Sequence, residues 1–245
     1  MDSLLKNHPF AVSANFISST ILTFAVSKNE LFPLVPAPLS LDLFEDKWAF
    51  LTIAMVDTKY LRPKGFPKFL GNNFFLIGYR IFVRYKTSEG KNLRGLFILK
   101  SETNRKRMEL LGNVFTKYAY TTTDILCKSS RNYAEISSKR SKFNLSYKRI
   151  EDEPIPLPEG SVFPSWKEAR RFAGPLPFTF NVDTKEHKVL IVEGVREDWK
   201  PQPIEVLSQS FDFLKQFHFK NIFLSNAFEI RNIPYAWKKG RIDRW

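Results

Sequence analysis

Over most of the chain apolar residues alternate with polar ones or run unbroken for strand length, the pattern of strands with one or both faces buried. Trp48–Val56 (WAFLTIAMV) and Phe74–Lys86 are the longest such segments. Ile17–Val26 is a further predicted strand: Ser and Thr interrupt it, and no basic start or small-residue cleavage site frames it as a signal peptide. Leu93–Lys100 follows Phe74–Lys86 after Ser88-Glu89-Gly90-Lys91-Asn92, whose Gly and Asn suit a hairpin turn. Asn132–Ser138 and Phe143–Tyr147 flank a second expected hairpin at Lys139-Arg140-Ser141-Lys142, and Phe178–Val182, Lys188–Val195 and Ile222–Ile230 complete the strands. The helical pattern predicts Lys28–Phe32, a helix capped by Ser101 or Thr103 and stopped by Gly112, and Glu205–Phe217, whose Val206, Leu207, Phe211, Leu214 and Phe217 lie near one face. Strands outnumber helices and most connections are too short for repeated parallel crossovers. The expected fold class is therefore α+β, mainly antiparallel β, as a sheet or barrel with a few flanking helices. Glu151–Pro164, which holds Pro154, Pro156, Pro158 and Pro164, reads as an ordered surface connection within a single domain of residues 1–245. The roughly 80 residues after it are thin for an independent core.

One strand breaks its own pattern. In Phe74–Tyr85 one face carries Phe75, Ile77, Tyr79, Ile81, Val83 and Tyr85, while the other carries Phe74, Leu76, Gly78, Arg80, Phe82 and Arg84. Arg80 thus sits mid-strand between Phe82 and a glycine that leaves space beside it. A guanidinium there cannot titrate its charge away and must find a partner or water. Either an internal carboxylate pair or a wet sheet face satisfies it, or Arg80 anchors an anionic or carbonyl-bearing ligand in a cavity. In the second case Phe82 shares its face and Tyr79 does not, short of a bulge; Trp48 is a further candidate neighbour. Lys117, in GNVFTKYAYTTTD, is a second chemical candidate. A lysine desolvated among aromatics loses its proton near neutrality and attacks a carbonyl, whereas one that lays its stem on aromatic surface keeps its ammonium in water.

Composition narrows the classes. The 245 residues carry a net charge of +13, but Lys and Arg are spread along the whole length, outside any helix-turn-helix, zinc-finger or RNA-binding signature. A solvated basic surface is expected, and nucleic acid is not an expected partner. With 10 Gly against 24 Phe, glycine-rich phosphate loops are disfavoured. No apolar run approaches the roughly 20 residues of a membrane span. The lone Cys127 forbids an internal disulfide and fits a reducing compartment, by default the cytoplasm. His8, His187 and His218 have no metal-ligand spacing, so neither a metal nor another cofactor is expected, and the oligomeric state is not legible.

Taken in order, several pieces resemble a known family: the strand around Ile21–Val26, LFPLVPAPLSLDLFEDKWAFLTIAMVDTKYLRPKGFP, the Arg80 strand, RGLFILKSETNRKRMELLGNVF, and a closing IRNIPYAWKKGR. They resemble the YqjF-like family of uncharacterised proteins in the acetoacetate decarboxylase-like superfamily, over most of the chain and loosely between Glu151 and Phe178. The resemblance implies a cone-shaped β-barrel with helices outside and a central pocket. In the decarboxylase a lysine following a Gly-Tyr-Pro turn forms a Schiff base with the substrate, assisted by a glutamate on the preceding strand. Here the corresponding turn is Gly112-Asn113-Val114-Phe115, so Phe115 takes the lysine position and Arg80 the glutamate position. Lys117 comes two residues late, which on an extended segment keeps the face but moves the amine by about 7 Å. The resemblance therefore implies a retained pocket with altered chemistry. Arg80, Phe82, Trp48 and Phe115 would bind a small carboxylate or carbonyl compound, with or without a reaction. The alternatives are a decarboxylase-like Schiff-base enzyme with Lys117 catalytic, and a non-enzymatic interaction module using the basic surface.

Overall fold

The computed structural model describes residues 4–150, 157–197 and 199–245. Among them are fourteen strands: β1 (Val12–Ser27), β2 (Ser40–Leu41), β3 (Trp48–Pro63), β4 (Asn72–Lys86), β5 (Asn92–Thr103), β6 (Tyr120–Thr122), β7 (Leu126–Ser129), β8 (Tyr133–Ser138), β9 (Phe143–Arg149), β10 (Phe178–Asp183), β11 (Lys188–Arg196), β12 (Gln202–Phe211), β13 (Ile222–Trp237) and β14 (Arg241–Arg244). Four α-helices accompany them: α1 (Lys28–Leu31), α2 (Lys106–Phe115), α3 (Trp166–Ala173) and α4 (Asp212–Lys215). The sheet is mostly antiparallel; β5 pairs in parallel with β6 and with β10.

The pairing order β11-β10-β5-β4-β3-β1-β13 returns on itself, because Gly194–Arg196 of β11 also pair with Tyr235–Trp237 of β13. A second antiparallel sheet, β12-β9-β8-β7, hangs from β13 through Gln202 and Pro203. The alternation in β4 explains how the two sheets meet. Phe75, Ile77, Tyr79, Ile81, Val83 and Tyr85 join Leu22, Phe24, Leu51, Ile53 and Met55 in a core that includes Ala134, Ile136, Phe143, Leu145 and Tyr147 of the second sheet. Each such apolar side chain contributes about 1.5–3 kcal/mol on burial. Between the sheets Tyr147 donates to Glu229 (2.9 Å), which also accepts from Nε (2.5 Å) and Nη2 (3.0 Å) of Arg149.

The opposite face of β4 looks into the ring, and two apolar plugs close that space from either end. On one side Phe50, Phe82 and Leu96 pack with Phe163, Ala169 and Ala173 around α3. On the other, Ala54, Val56, Phe74 and Leu76 pack with Met108 of α2 and Tyr120 of β6. The sequence marks α3 with a capping pattern that periodicity overlooks: Ser165 Oγ accepts from the Glu168 backbone N–H (3.2 Å).

Several expectations need correction. Glu205–Phe217 is not one helix: strand β12 runs to Phe211 and only Asp212–Lys215 is helical. Its apolar residues fit a strand as well, and pairing with β9, bulged between Val206 and Ser208, overrides helical spacing. The helix expected to start near Ser101 begins at Lys106, because β5 extends to Thr103, and it runs past Gly112 to Phe115. Gly112 is not a stop: a Cβ there would lie 2.3 Å from the Tyr120 ring, so the glycine makes room for that plug. Cys127 is exposed on β7. Of the expected connection Glu151–Pro164, residues 151–156 lie outside the described residues, while Phe163 is buried against α3. The hairpin at Ser88–Asn92 forms between β4 and β5, with Gly90 at φ +83°.

Candidate functional site

Between the two plugs lies a cavity of about 120 Å³ to which all seven ring strands contribute. Ladder register sets its walls: Thr52 stands opposite Arg80, Ala54 opposite Gly78 and Val56 opposite Leu76, so these residues share the inward face. Arg80 is half-buried, and its guanidinium lies over Gly78, where a Cβ would come within 2.8 Å of Nε and 2.9 Å of Nη2. The glycine is therefore the floor on which the cation rests. Arg80 Nε is buried and makes no hydrogen bond. A register shift in the β4–β5 ladder falls between Tyr79 and Arg80, yet Tyr79 remains in the inter-sheet core.

The adjacent arginine shows what an internal pair looks like here. Arg84, four residues on and on the same face, donates from Nε to the fully buried Asp42 at 2.6 Å, and Arg94 pairs with the same carboxylate. Among the described residues Arg80 has no such carboxylate, and no Asp, Glu, Lys or His lines the cavity. The second cation at the cavity is Arg196, from the end of β11. Its Nη2 donates to the Pro175 carbonyl just beyond α3, its guanidinium stacks 5.6 Å from the Trp199 ring centre, and its Nε is buried without a partner.

Three tyrosines complete the polar lining. Burial pushes the Tyr120 phenol up to about 12, opposed by the nearby Arg80 charge. Burial also raises Tyr118, with Tyr120 adding to the rise and Arg80 opposing it. Tyr235 is raised by burial against the pull of both Arg196 and Arg80. All three phenols thus stay protonated at neutral pH and offer O–H donors. The Tyr235 hydroxyl lies only 1.9 Å from where a Cβ on Gly194 would stand, and the Tyr235 ring stacks on Phe16 at 4.5 Å. Two fixed cations and neutral donors in a partly dehydrated space favour an anion, and attraction there exceeds its value in bulk water. Among the described residues the lining supplies no amine nucleophile and no carboxylate base.

The other residues singled out from sequence fall in different places. Phe82 lines the cavity and packs on Phe50 (5.9 Å between ring centres). Phe115 lines a neighbouring chamber of about 330 Å³, edge-on to Phe10 at 5.1 Å. Trp48 packs beside the α3 plug, edge-to-face with Phe223 at 5.8 Å, away from the cavity lining. Lys117 also lies outside the lining: its Nζ is 3.8 Å from Asp183 and its carbonyl accepts from Asn181. Sequence reasoning missed Arg196 and Tyr235 as site residues. Tyr235 and its cavity neighbour Trp237 lie within the closing IRNIPYAWKKGR, so a signal existed for them; Arg196 ends a strand and carries none.

The family model DUF2071, described as an uncharacterized conserved protein (COG2071), matches residues 14–228. No curated protein matches. Among solved structures, an acetoacetate decarboxylase-like enzyme from Sphingomonas wittichii RW1 superposes with a TM-score of 0.59 at 11% identity, covering 100% of this chain and 95% of that one. An acetoacetate decarboxylase from Legionella pneumophila gives 0.57 at 11% identity, over 94% and 87% of the two chains. The enduracididine biosynthesis enzyme MppR, complexed with pyruvate, gives 0.57 at 8% identity, over 96% and 90%. At such identities the likeness concerns the fold, which is acetoacetate decarboxylase-like. Among the described residues no helix is long and apolar enough to cross a membrane, and no group of three His, Cys, Asp or Glu side chains is placed to hold a metal ion.

Proposed function

Because the chain belongs to DUF2071, the uncharacterized conserved proteins of COG2071, and has the acetoacetate decarboxylase-like fold, we propose that its ring cavity binds a small carboxylate or carbonyl compound with Arg80 as the anion anchor. On this reading the seven-strand ring acts as a cone-like barrel within a single domain, and Phe82 forms the apolar wall beside the anchor. The observation that carries it is the Arg80 guanidinium, laid over Gly78 into a cavity that no acidic residue lines among the described residues, with Nε unpartnered there. Two like charges, Arg80 and Arg196, at one cavity repel each other, and an anion between them relieves that cost. The likeness in fold to MppR complexed with pyruvate is in keeping with a small acid as ligand.

Ligand-detected NMR with a panel of small acids, pyruvate included, tests the proposal. Binding of at least one acid is expected, weakened tenfold or more in Arg80→Ala, since a hydrogen bond to a charged group contributes about 1.5–3 kcal/mol. Equal binding by wild type and variant refutes the anchor. The Schiff-base alternative requires the Lys117 amine, which faces Asp183 rather than the cavity, to reach the substrate. Borohydride trapping with keto acids followed by peptide mapping distinguishes it: an adduct on Lys117 favours the enzyme, and its absence across several keto acids removes that alternative. Use of the basic surface as an interaction module predicts saturable polyanion binding that persists at physiological salt.

A further inference from the structure

A second chamber adjoins the ring cavity behind its tyrosines. This 330 Å³ chamber shares Leu76, Tyr118, Tyr120 and Trp237 with it, so these side chains form a common wall between the two spaces. The chamber is built from different elements: the start of β1, the β3–β4 turn and the inner face of α2. Its surface is mostly apolar, supplied by Phe10, Leu61, Phe74, Met108, Leu111 and Phe115, with His8, Arg62 and Arg107 also contributing to the lining. Its volume falls near the lower end of the roughly 300–1,000 Å³ found for small-molecule sites, whereas the arginine cavity alone is far smaller. A mostly apolar chamber adjoining a cationic cavity that no acidic residue lines among the described residues matches the two ends of an amphipathic acid, provided the shared side chains turn aside to admit it.

Resting on the reading of the ring cavity as an anion site, we infer that the natural ligand is a carboxylate with an apolar tail, its head beside Arg80 and Arg196 and its tail in the chamber lined by Leu111 and Phe115. The ligand class is then a medium-chain or aryl-alkanoic acid rather than a two- or three-carbon acid. Tyr118 and Tyr120 stand where head and tail join, their hydroxyls available to the head and their rings to the tail. Phe115, at the position where the superfamily resemblance leads one to expect a lysine, acts here as tail-contacting surface.

Isothermal titration calorimetry of the full chain with straight-chain carboxylates from acetate to decanoate tests this, with octan-1-ol as the uncharged control. Affinity is expected to rise by about fourfold per methylene, as about 0.8 kcal/mol per buried methylene implies, until the chamber is filled. Leu111→Trp, which occupies chamber volume, should remove the gain for octanoate and leave butyrate affinity within twofold. Phe115→Ala, which enlarges the chamber, should move the best chain length upward, and it serves as the second arm if the tryptophan variant does not fold. Arg80→Gln should weaken every acid by about tenfold or more. A series that stays flat beyond butyrate while Arg80→Gln still weakens binding overturns the tail assignment and leaves the anion site standing. Octan-1-ol binding as tightly as octanoate, with Arg80→Gln without effect, overturns the anion site itself, and failure of every acid to bind overturns both.

Discussion

Replacing Gly78 by alanine tests the site without replacing any group that would contact the ligand. The added Cβ would stand 2.8 Å from Arg80 Nε, 2.9 Å from Nη2 and 3.2 Å from Cζ, against 3.4 Å for ordinary contact. Relief requires the guanidinium to lift by about 0.6 Å, the difference between 3.4 and 2.8 Å. The end of a long side chain moves at little cost, so fold stability should change by less than about 1 kcal/mol; alanine also restricts the unfolded chain more than glycine does. Binding should suffer more. A fork of N–H donors displaced by this distance loses alignment with a carboxylate, and forfeiting one charge-assisted bond of about 1.5–3 kcal/mol lowers affinity by roughly 10- to 150-fold. The assay is calorimetric titration with the tightest-binding acid of the series, paired with urea denaturation of the same variant. Unchanged affinity in a variant of wild-type stability refutes the placement of the guanidinium as the anion contact. A variant destabilised by several kcal/mol refutes the premise that Gly78 borders a yielding side chain.

Other outcomes follow from the same geometry. Arg149→Met should destabilise the protein by about 3–5 kcal/mol in urea denaturation, because it strands the buried Glu229 carboxylate with Tyr147 as its remaining donor; adding Glu229→Gln should recover part of the loss. Gly112→Ala should cost about 1–3 kcal/mol by overpacking Tyr120 even though alanine is the better helix former by about 1 kcal/mol, and a stabilised variant in thermal denaturation would contradict the close contact. Ser165→Ala removes the α3 cap and should lower stability by about 1 kcal/mol in the same assay. Asp124 is held down to about 2 by the Ser138 hydroxyl first and the Arg140 backbone N–H second, so its contribution to stability is present above the unfolded carboxylate value and is lost as pH falls through about 2. Carboxyl NMR titration should show that low midpoint, and Ser138→Ala should raise it toward 3.8.

An apolar run of strand length, rich in β-branched and aromatic residues and too short for a long helix, leaves little choice of element, and the strands at Trp48–Val56 and Phe74–Lys86, buried on both faces for most of their length, were legible for that reason. The segment 202–215 was not. Its apolar spacing suits both a helix face and a bulged strand, and pairing with β9, distant in sequence, decided between them. Gly112 was misread because its neighbour Tyr120 comes from β6, after the helix. The sequence alone determined that Arg80 and Gly78 share a face, since side-chain alternation is a local property of extended backbone. It could not say whether a carboxylate meets that charge: Arg84 and Arg80 look alike in the chain, yet Asp42 reaches only the first. Ring closure brings Arg196 and Tyr235, more than one hundred residues away, to the same cavity, and the two plugs leave the space open between them. Such placements depend on long-range pairing and packing volume, which no local pattern of residues encodes.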